Sequence, residues 1–299
     1  MTASLAFNDW TKEVQSTIEK ALASFLPEET VLPAHLHQAM RYAVLDGGKR
    51  VRPLLVYAAG DLFAANPGTL ARAAAALEMI HVYSLVHDDM PCMDDDALRR
   101  GKPTVHIKYD EPTALLVGDA LQAQAFLVLS EDTDLNDPAR LLAMIRLLAK
   151  AAGSVGMCGG QAIDLASVGM ALSQDELEQM HRLKTGALLR ASVLLGAMSG
   201  KRLAVDEMRA LDAYAAAIGL AFQVVDDVLD ATADSATLGK TAGKDAADNK
   251  PTYVSILGLE QSRALAEKLR NDAHQALMPF GENARRLRDI ADLIVQRKA

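Results

Sequence analysis

Cysteine is scarce in this chain of 299 residues, with only Cys92 and Cys158 present. Two thiols cannot build a disulfide framework, which excludes the small disulfide-stapled secreted folds and suits a reducing compartment. Cations are outnumbered too, because 31 Lys and Arg residues face 39 Asp and Glu residues, for a formal net charge of −8. This balance argues against a broad basic surface, so we expect no nucleic-acid partner.

Uninterrupted apolar runs of the roughly 18 residues that span a bilayer are also missing from the sequence. The N-terminal segment contains Asp9, Lys12 and Glu13, so it lacks the apolar centre of a signal peptide. We therefore expect no membrane insertion and a cytoplasmic location.

Alternation of apolar and polar residues, which is typical of half-buried strands, is lacking as well. Apolar residues instead recur at helical spacing, three and four positions apart, along the chain. Ser173 and Glu176 form a predicted capping box, and a polar loop is expected over 234–251. The short connections predict one all-α domain over residues 1–299, a single large helical bundle. The predicted helices are 4–26, 34–45, 53–62, 69–89, 113–130, 139–156, 160–168, 174–199, 205–231, 252–258, 260–278 and 282–297.

Two predicted helical segments, 77–86 and 214–225, have no continuous charged face. A helix that is apolar on most sides lies inside a large bundle or is covered by a partner subunit. We therefore expect a homodimer, although an interior helix of a large monomer would look the same.

A dense acidic cluster ends the helix predicted over 69–89. It consists of Asp88, Asp89, Asp94, Asp95 and Asp96, and Arg99 and Arg100 follow it. Massed carboxylates repel one another and need cations, and hard oxygen ligands suit a divalent ion such as magnesium. Guanidinium groups grip phosphate with two hydrogen bonds, so the cluster indicates a metal-bound phosphate ligand. A solvated acidic loop would explain this stretch alone equally well.

A second acidic cluster, in the helix predicted over 205–231, favours the metal site. Asp226 and Asp230 are four residues apart and Gln223 precedes Asp226 by three, so the three share a helix face with Asp227 at its edge. Polar groups on an otherwise apolar helix need partners. We interpret the two clusters as opposing jaws around a polyanion.

Basic residues occur where an anion could be held. Lys49 and Arg52 follow Gly47 and Gly48 at the start of a predicted helix, although a helix end with solvated cations is the simpler explanation. His81 lies on the face of Asp88, two turns away, and suits a substrate contact as well as a core position. The remaining candidates also suit plain solvation; they are Lys184 with Thr185, and Lys240, Lys244 and Lys250 in the polar loop.

These motifs, in this order, resemble those of the trans-type (E)-prenyl diphosphate synthases, among them the bacterial farnesyl diphosphate synthases. The resemblance spans most of the chain. It rests on Gly47–Pro53, the cluster 88–96 with 98–101, Gly159-Gly160-Gln161 with Asp164, Lys184-Thr185, Phe222-Gln223 with Asp226, Asp227 and Asp230, and Gly239-Lys240 with Asp248-Asn249-Lys250.

The first motif has four residues between Asp89 and Asp94, the expanded form of the family's motif. An unbroken helix would carry Asp94 away from the face of Asp88. Pro91 breaks or bulges a helix, so we expect it to return Asp94 toward Asp88.

The resemblance implies head-to-tail condensation of isopentenyl diphosphate with an allylic diphosphate, dimethylallyl or geranyl, in an apolar central cavity. It implies about three Mg²⁺ ions per active site once substrate is bound. The implied ligand set is Asp88, Asp89, Asp94, Asp226, Asp227 and Asp230, with Arg99, Lys184, Lys240 and Lys250 near the leaving group. The homoallylic diphosphate would contact Lys49, Arg52, His81 and Arg100, and Thr185 and Gln223 would face the allylic cation.

Product length is expected to depend on Tyr83, with Ser84 as a small neighbour nearer the face of Asp88. The helical wheel turns Tyr83 away from Asp88, so its choice comes from the resemblance, in which an aromatic residue here accompanies a fifteen-carbon product. A core tyrosine is the alternative. Geranyl or geranylgeranyl diphosphate would be the other products within the family.

Three other classes of protein share parts of this pattern. Helical phosphohydrolases use His-Asp pairs, but they need several histidine ligands, and this chain has seven scattered histidines. Terpene cyclases share the metal chemistry and the all-α fold, yet they usually lack the Gly-Gly-Lys-x-x-Arg site. A non-catalytic scaffold would have no use for two acidic clusters.

Overall fold

The computed structural model describes residues 6–170, 172–232 and 251–297, and these residues form an all-α bundle. The predicted fold class is therefore confirmed. The helices are α1 (Phe7–Phe25), α2 (Ala34–Val44), α3 (Val51–Asp61), α4 (Pro67–Asp88), α5 (Val105–Lys108), α6 (Glu111–Ser130), α7 (Pro138–Ala152), α8 (Met157–Ala166), α9 (Gln174–His181), α10 (Ala187–Gly200), α11 (Val205–Thr232), α12 (Tyr253–Leu257), α13 (Leu259–Ala276) and α14 (Arg285–Gln296).

Helices α4, α10 and α11 form the interior of the bundle. α4 packs most extensively on α6, α10 on α3, and α11 on α13. Leu77 and Ile80 on α4 and Tyr214 and Ile218 on α11 are at most 1% exposed. The two segments that suggested a dimer are therefore covered within the chain, and our reason for expecting a partner there is wrong. They lack a charged face because neighbouring helices surround them.

The stretch after the first acidic cluster differs from the prediction of helices alone. Leu98–Arg99 (β1) and Lys102–Pro103 (β2) form a small antiparallel hairpin, with Leu98 opposite Pro103. Its turn places Arg100 and Gly101 at positive φ. Strands of two residues cannot show alternation, so the sequence pattern could not reveal them.

The helix predicted over 174–199 is three elements, α9, a π-helical segment at Arg182–Gly186, and α10. The capping box is confirmed, because Ser173 N–H donates to Glu176 Oε2 at 2.9 Å and Glu176 N–H to Ser173 Oγ at 3.4 Å. The π-helical segment packs against α8 and α11. A Cβ at Gly160 would lie 2.1 Å from the backbone nitrogen of Lys184, so glycine permits this approach.

Among the residues that the structure describes, three stretches are long and apolar enough, by length and composition, to cross a membrane: Glu111–Ser130, Pro138–Ala166 and Val205–Thr232. The sequence expectation that no segment reaches this length is therefore wrong. Counting uninterrupted apolar residues misses helices whose few charged residues are widely spaced. In Val205–Thr232, 56% of the most apolar window is buried inside the chain, so packing accounts for much of its apolar character.

Candidate active site

The first acidic cluster lies in a loop that folds back on the end of α4. The helix ends at Asp88, and the backbone N–H of Asp94 donates to the carbonyl of Asp88 at 2.8 Å. Met93 N–H donates to the Met90 carbonyl at 2.8 Å, which closes the turn around Pro91. The structure thus shows the reversal predicted from Pro91, and Asp94 lies beside Asp88.

Asp89 has a different environment from Asp88. It is buried, and its carboxylate accepts a hydrogen bond of 2.9 Å from Arg99 Nε and another from Arg99 Nη2. Arg99 also lies 3.4 Å from Asp96. Asp89, predicted as a metal ligand, is therefore occupied in holding Arg99, and the hairpin positions this arginine beside the acidic loop.

Asp227 and Asp226, the adjacent aspartates of the second acidic cluster, have different partners. Gln223 Nε2 donates to Asp227 Oδ1 at 2.8 Å, and the Tyr253 N–H donates to Asp227 Oδ2, also at 2.8 Å. Asp226 instead accepts from Arg297 Nη2 at 2.6 Å. Asp227 is thus buried and bonded to protein groups on both oxygens, whereas Asp226 faces the cationic residues described below.

Asp230, the remaining predicted ligand of this cluster, is 7% exposed. Its Oδ1 atom has no hydrogen-bond partner among the residues that the structure describes. A buried carboxylate oxygen without a partner is costly, so this atom is available to a cation or to water.

Lys184 and Thr185 lie in the π-helical segment between the two clusters. Lys184 Nζ is 2.5 Å from Asp164 Oδ2 on α8, and its charge also acts on Asp88. Thr185 Oγ1 donates to Gln223 Oε1 at 3.3 Å. Lys184 and Gln223 line one cavity with Asp227, so the segment lies against the second acidic cluster.

The cationic residues predicted to hold a diphosphate line a second cavity. Its volume is about 470 Å³, and its lining is Gly48, Lys49, Arg50, Val51, Arg52, Glu78, His81, Arg100, Phe222 and Arg297. The Arg100 guanidinium lies over Gly48, where an added Cβ would be 2.6 Å from Arg100 Cζ and φ is +91°. Glycine at position 48 therefore leaves room for Arg100 to reach this cavity, whereas a Cβ at Gly47 would be 3.6 Å from Arg100 Cδ, an ordinary contact.

Arg297 is a residue that sequence reasoning missed. It donates to Asp226 and, at 2.8 Å, to the carbonyl of Phe222, and its guanidinium carbon lies 3.9 Å from the centre of the Phe222 ring. The only signal in the sequence is a basic residue near the C-terminus, after α14. Lys240 and Lys250, predicted to contact phosphates, lie outside the described residues.

The pKa values in the cation-lined cavity reflect crowded positive charge. Burial, and then Arg52 and Arg100, hold the pKa of His81 well below its usual range, so His81 is neutral at pH 7. Burial lowers the pKa of Arg52 to about 10, with Arg100 acting in the same direction. Burial and then Arg297 also lower the pKa of Lys49. Cations packed together in this way favour a bound anion.

At the first acidic cluster the balance of charge is reversed. Burial, and then the nearby Asp94 and Asp89, raise the pKa of Asp88 to about 6, against the opposing charges of Lys184 and Arg99.

Within residues 6–170, 172–232 and 251–297, no three His, Cys, Asp or Glu side chains form a group that could hold a metal. Mg²⁺ usually takes one or two carboxylates together with substrate phosphates, and the adjacent Asp88 and Asp94 fit that requirement.

Tyr83 and Ser84 lie on different sides of α4. Tyr83 is 6% exposed, and its hydroxyl is 3.4 Å from Cys158 Sγ on α8. Its ring meets His87 edge to face at 5.8 Å. Ser84 is half-buried and donates to the carbonyl of His81 at 2.8 Å. The Tyr83 side chain therefore fills space between α4 and α8.

His181 leads to a prediction on pH dependence. It is buried against Tyr253, and both ring nitrogens lack partners among the described residues. Burial lowers its pKa from 6.5 to about 4. Between these values the unfolded chain binds the proton more readily, so stability falls as the pH drops below 6.5, by about 1 kcal/mol at pH 5.5.

The measurement is the free energy of unfolding at pH 7 and 5.5 for the wild type and for His181→Phe, which keeps a ring against Tyr253. The wild type should lose about 1 kcal/mol more than the variant. Parallel pH profiles for the two proteins would contradict this assignment of His181.

Comparison with known proteins identifies the class to which this fold and site belong. The family model described as polyprenyl synthetase matches residues 33–278. The chain belongs to the polyprenyl synthetase family.

The similar proteins within that family have more specific names. Farnesyl diphosphate synthase of Escherichia coli (strain K12) is 46% identical over 297 residues, covering 97% of this chain and 99% of that protein. An FPP/GFPP synthase from Zymomonas mobilis has a TM-score of 0.87 at 44% identity, over 97% of this chain and 98% of that one. A geranyltransferase from Helicobacter pylori, solved with magnesium and isoprenyl diphosphate, has a TM-score of 0.84 at 32% identity, over 98% of both chains.

Proposed function

We propose that this chain is a Mg²⁺-dependent farnesyl diphosphate synthase. It condenses isopentenyl diphosphate head to tail with dimethylallyl diphosphate and then with geranyl diphosphate, and it releases diphosphate. The observation that carries this proposal is the presence of two anion sites side by side. The acidic clusters account for a metal-bound diphosphate, and the 470 Å³ cation-lined cavity beside Asp226 accounts for a second one. The similarity to the farnesyl diphosphate synthase of E. coli supports the product.

The allylic diphosphate lies between the acidic clusters. Bound Mg²⁺ neutralises the charge that develops on this leaving group. Asp88, Asp94 and Asp226 would hold the metal, and Asp230 would be available to a further ion or its waters. Asp89 and Asp227 position Arg99 and Gln223. The magnesium in the H. pylori relative supports the choice of ion.

Lys184 and Arg99 stabilise the departing diphosphate directly, as preorganised charges near the bond that breaks. Asp164 and Asp89 fix these two cations in place, so little reorganisation is needed during the reaction. Thr185 donates its hydroxyl hydrogen to Gln223. Its oxygen lone pairs are therefore free to face the allylic cation.

The homoallylic diphosphate occupies the cation-lined cavity, held by Lys49, Arg52, His81 and Arg100. The allylic C–O bond breaks, and a carbon–carbon bond forms to the terminal alkene carbon, C4, of isopentenyl diphosphate, which leaves a tertiary cation at C3. A proton then leaves C2, and its electron pair forms the C2–C3 double bond. The departing diphosphate takes that proton. An apolar cavity below the metal site, ending at Tyr83 beside Ser84, excludes water and limits the chain to fifteen carbons.

The whole chain, residues 1–299, forms one domain in this proposal, and it acts as a cytoplasmic homodimer. The surface that supports a dimer is the outer face of α6 and α7, which we call the leucine face. Leu115, Leu116 and Leu127 are 48%, 53% and 48% exposed, and Leu142 is 67% exposed. Neighbouring exposed leucines on adjacent helices are typical of a subunit interface.

The proposal is tested by incubating the protein with Mg²⁺ and isopentenyl diphosphate, with and without dimethylallyl or geranyl diphosphate. Farnesyl diphosphate should form only when both kinds of substrate are present. Release of phosphate alone would favour a phosphohydrolase, a cyclised hydrocarbon from one substrate a terpene cyclase, and no turnover a scaffold. Any of these three results would contradict the proposal.

Lys49→Ala and Arg100→Ala should each raise the KM for isopentenyl diphosphate by about tenfold, while kcat at saturation changes little. Their contacts are to the diphosphate that stays, so the binding energy is similar in the ground and transition states. Steady-state kinetics with each substrate varied in turn checks this. A rise in the KM of the allylic substrate instead would mean that the two sites are exchanged.

Gly48→Ala should raise the same KM, because the added methyl group meets the Arg100 guanidinium at a backbone position with φ +91°. Gly258→Ala is the matched control, with φ +82° and no described residue within 4 Å of the added Cβ. Both variants should lose about 1 kcal/mol of stability through backbone strain. An equal KM for isopentenyl diphosphate in the two variants would contradict the placement of Arg100.

A further inference from the structure

Arg50 lies between the two cationic residues of the diphosphate site, yet its side chain turns away from solvent. It is 3% exposed, and its backbone is left-handed, with φ 53° and ψ 37°. Its guanidinium Nη1 donates to Glu78 at 2.6 Å, and Nη2 donates to the Val44 carbonyl at 2.6 Å. A buried arginine in a strained conformation persists only where several partners hold it.

The third partner comes from the N-terminal helix. Arg50 Nη2 and Nε donate to Glu19 Oε1 on α1, at 2.5 and 3.1 Å. Gln15, one turn earlier on the same face of α1, donates to the Lys49 carbonyl at 3.0 Å. Helix α1 is therefore hydrogen-bonded to two consecutive residues, Lys49 and Arg50, just before the helix that contains Arg52.

The buried Glu78 completes this arrangement. It is 1% exposed, and its negative charge acts on Arg50, Arg52 and Arg100. Converging guanidinium groups repel one another, and a fixed carboxylate among them offsets that repulsion. Gln15 and Glu19 on α1 lie outside residues 33–278, which the family model matches, whereas Arg50 and Glu78 lie within them.

We propose that Gln15 and Glu19 of α1, acting through Arg50 and the buried Glu78, are positioning residues for the homoallylic diphosphate site. They hold residues 47–50 and the start of α3 so that Lys49 and Arg52 point at the same diphosphate. The inference rests on the proposed function, in which these two cations bind isopentenyl diphosphate. A network that served stability alone would not alter the affinity for one substrate selectively.

The test uses Glu19→Ala in the full-length protein, with Glu13→Ala as the matched control. Glu13 is exposed on the same helix and has no hydrogen bond or ion pair to residues 47–52; its carbonyl accepts from Thr17. Glu19→Ala should raise the KM for isopentenyl diphosphate about fivefold, with kcat and the KM of the allylic substrate within about twofold of wild type. Adding Gln15→Ala should raise it further. Glu19→Gln, which keeps an acceptor oxygen for Arg50, should recover part of the loss.

Lys49→Ala is measured alongside to separate this inference from the proposed function. If Lys49→Ala raises the KM for isopentenyl diphosphate while Glu19→Ala and the double variant leave it unchanged, the positioning role is overturned. If Lys49→Ala leaves it unchanged, the site assignment itself fails, and the positioning role fails with it. An equal rise in the KM for isopentenyl diphosphate in Glu13→Ala would also overturn the inference, because any change in α1 would then have the same effect.

Discussion

Asp88→Asn and Asp226→Asn should each lower turnover by about a hundredfold or more, because each removes a charge from the clamp on the leaving diphosphate. Burial, and then the neighbouring carboxylates of Asp94 and Asp89, raise the pKa of Asp88 to about 6, so negative charge is crowded around this residue. Replacing the Asp88 carboxylate by an amide relieves the repulsion among these side chains, but it also weakens the attraction of the site for a cation. The expected loss is therefore in kcat and in the apparent Mg²⁺ affinity, and folding should be preserved.

Matched controls are available in the same elements. Asp95→Asn makes the same change in the first cluster at an exposed residue with φ 50°, a conformation that asparagine tolerates. Asp206→Asn does so on α11, at a side chain that is 92% exposed. Both should keep turnover within about twofold of wild type. Near-normal turnover of Asp88→Asn or Asp226→Asn at saturating Mg²⁺ would contradict the two-cluster site.

Tyr83→Ala should shift the main product from fifteen carbons to twenty or more while the first condensation continues. The Tyr83 ring fills the space between α4 and α8, where its hydroxyl meets Cys158, and its removal opens that space to a longer chain. Product chain length is measured by chromatography after dephosphorylation. The cavity left by the ring should cost about 3 kcal/mol of stability, so the assay temperature must lie well below the variant's Tm.

Tyr83→Phe is the control for this prediction, because it keeps the ring and removes only the hydroxyl. Its product should stay at fifteen carbons. If Tyr83→Ala folds, turns over and still stops at fifteen carbons, another residue forms the end of the cavity. Ser84 is the next candidate on α4, since it lies nearer to the face of Asp88.

Much of the fold can be predicted from short local patterns in the sequence. The helical spacing predicted the main helices, Ser173 and Glu176 predicted the start of α9, and Pro91 predicted the return of Asp94 toward Asp88. Each of these depends on residues within a few positions of one another. Such features can be predicted from a single sequence because their partners are close in the chain.

The features that the sequence did not reveal depend on distant partners. Arg297 reaches Asp226 across 71 positions, and Glu19 reaches Arg50 across 31. The π-helical segment at Arg182–Gly186 exists where α8 and α11 approach it, and no local pattern marks it. The apolar faces of α4 and α11 were attributed to a partner subunit for the same reason, since spacing along one helix does not say what covers it.

The most direct test of the two-cluster account is a crystal structure of the protein with Mg²⁺, isopentenyl diphosphate and an unreactive allylic diphosphate analogue. The account predicts carboxylate oxygens of Asp88, Asp94 and Asp226 at about 2.1 Å from Mg²⁺ ions on the allylic diphosphate. It also predicts the second diphosphate on Lys49, Arg52 and Arg100. An allylic diphosphate bound away from either cluster, or both diphosphates in the cation-lined cavity, would contradict it.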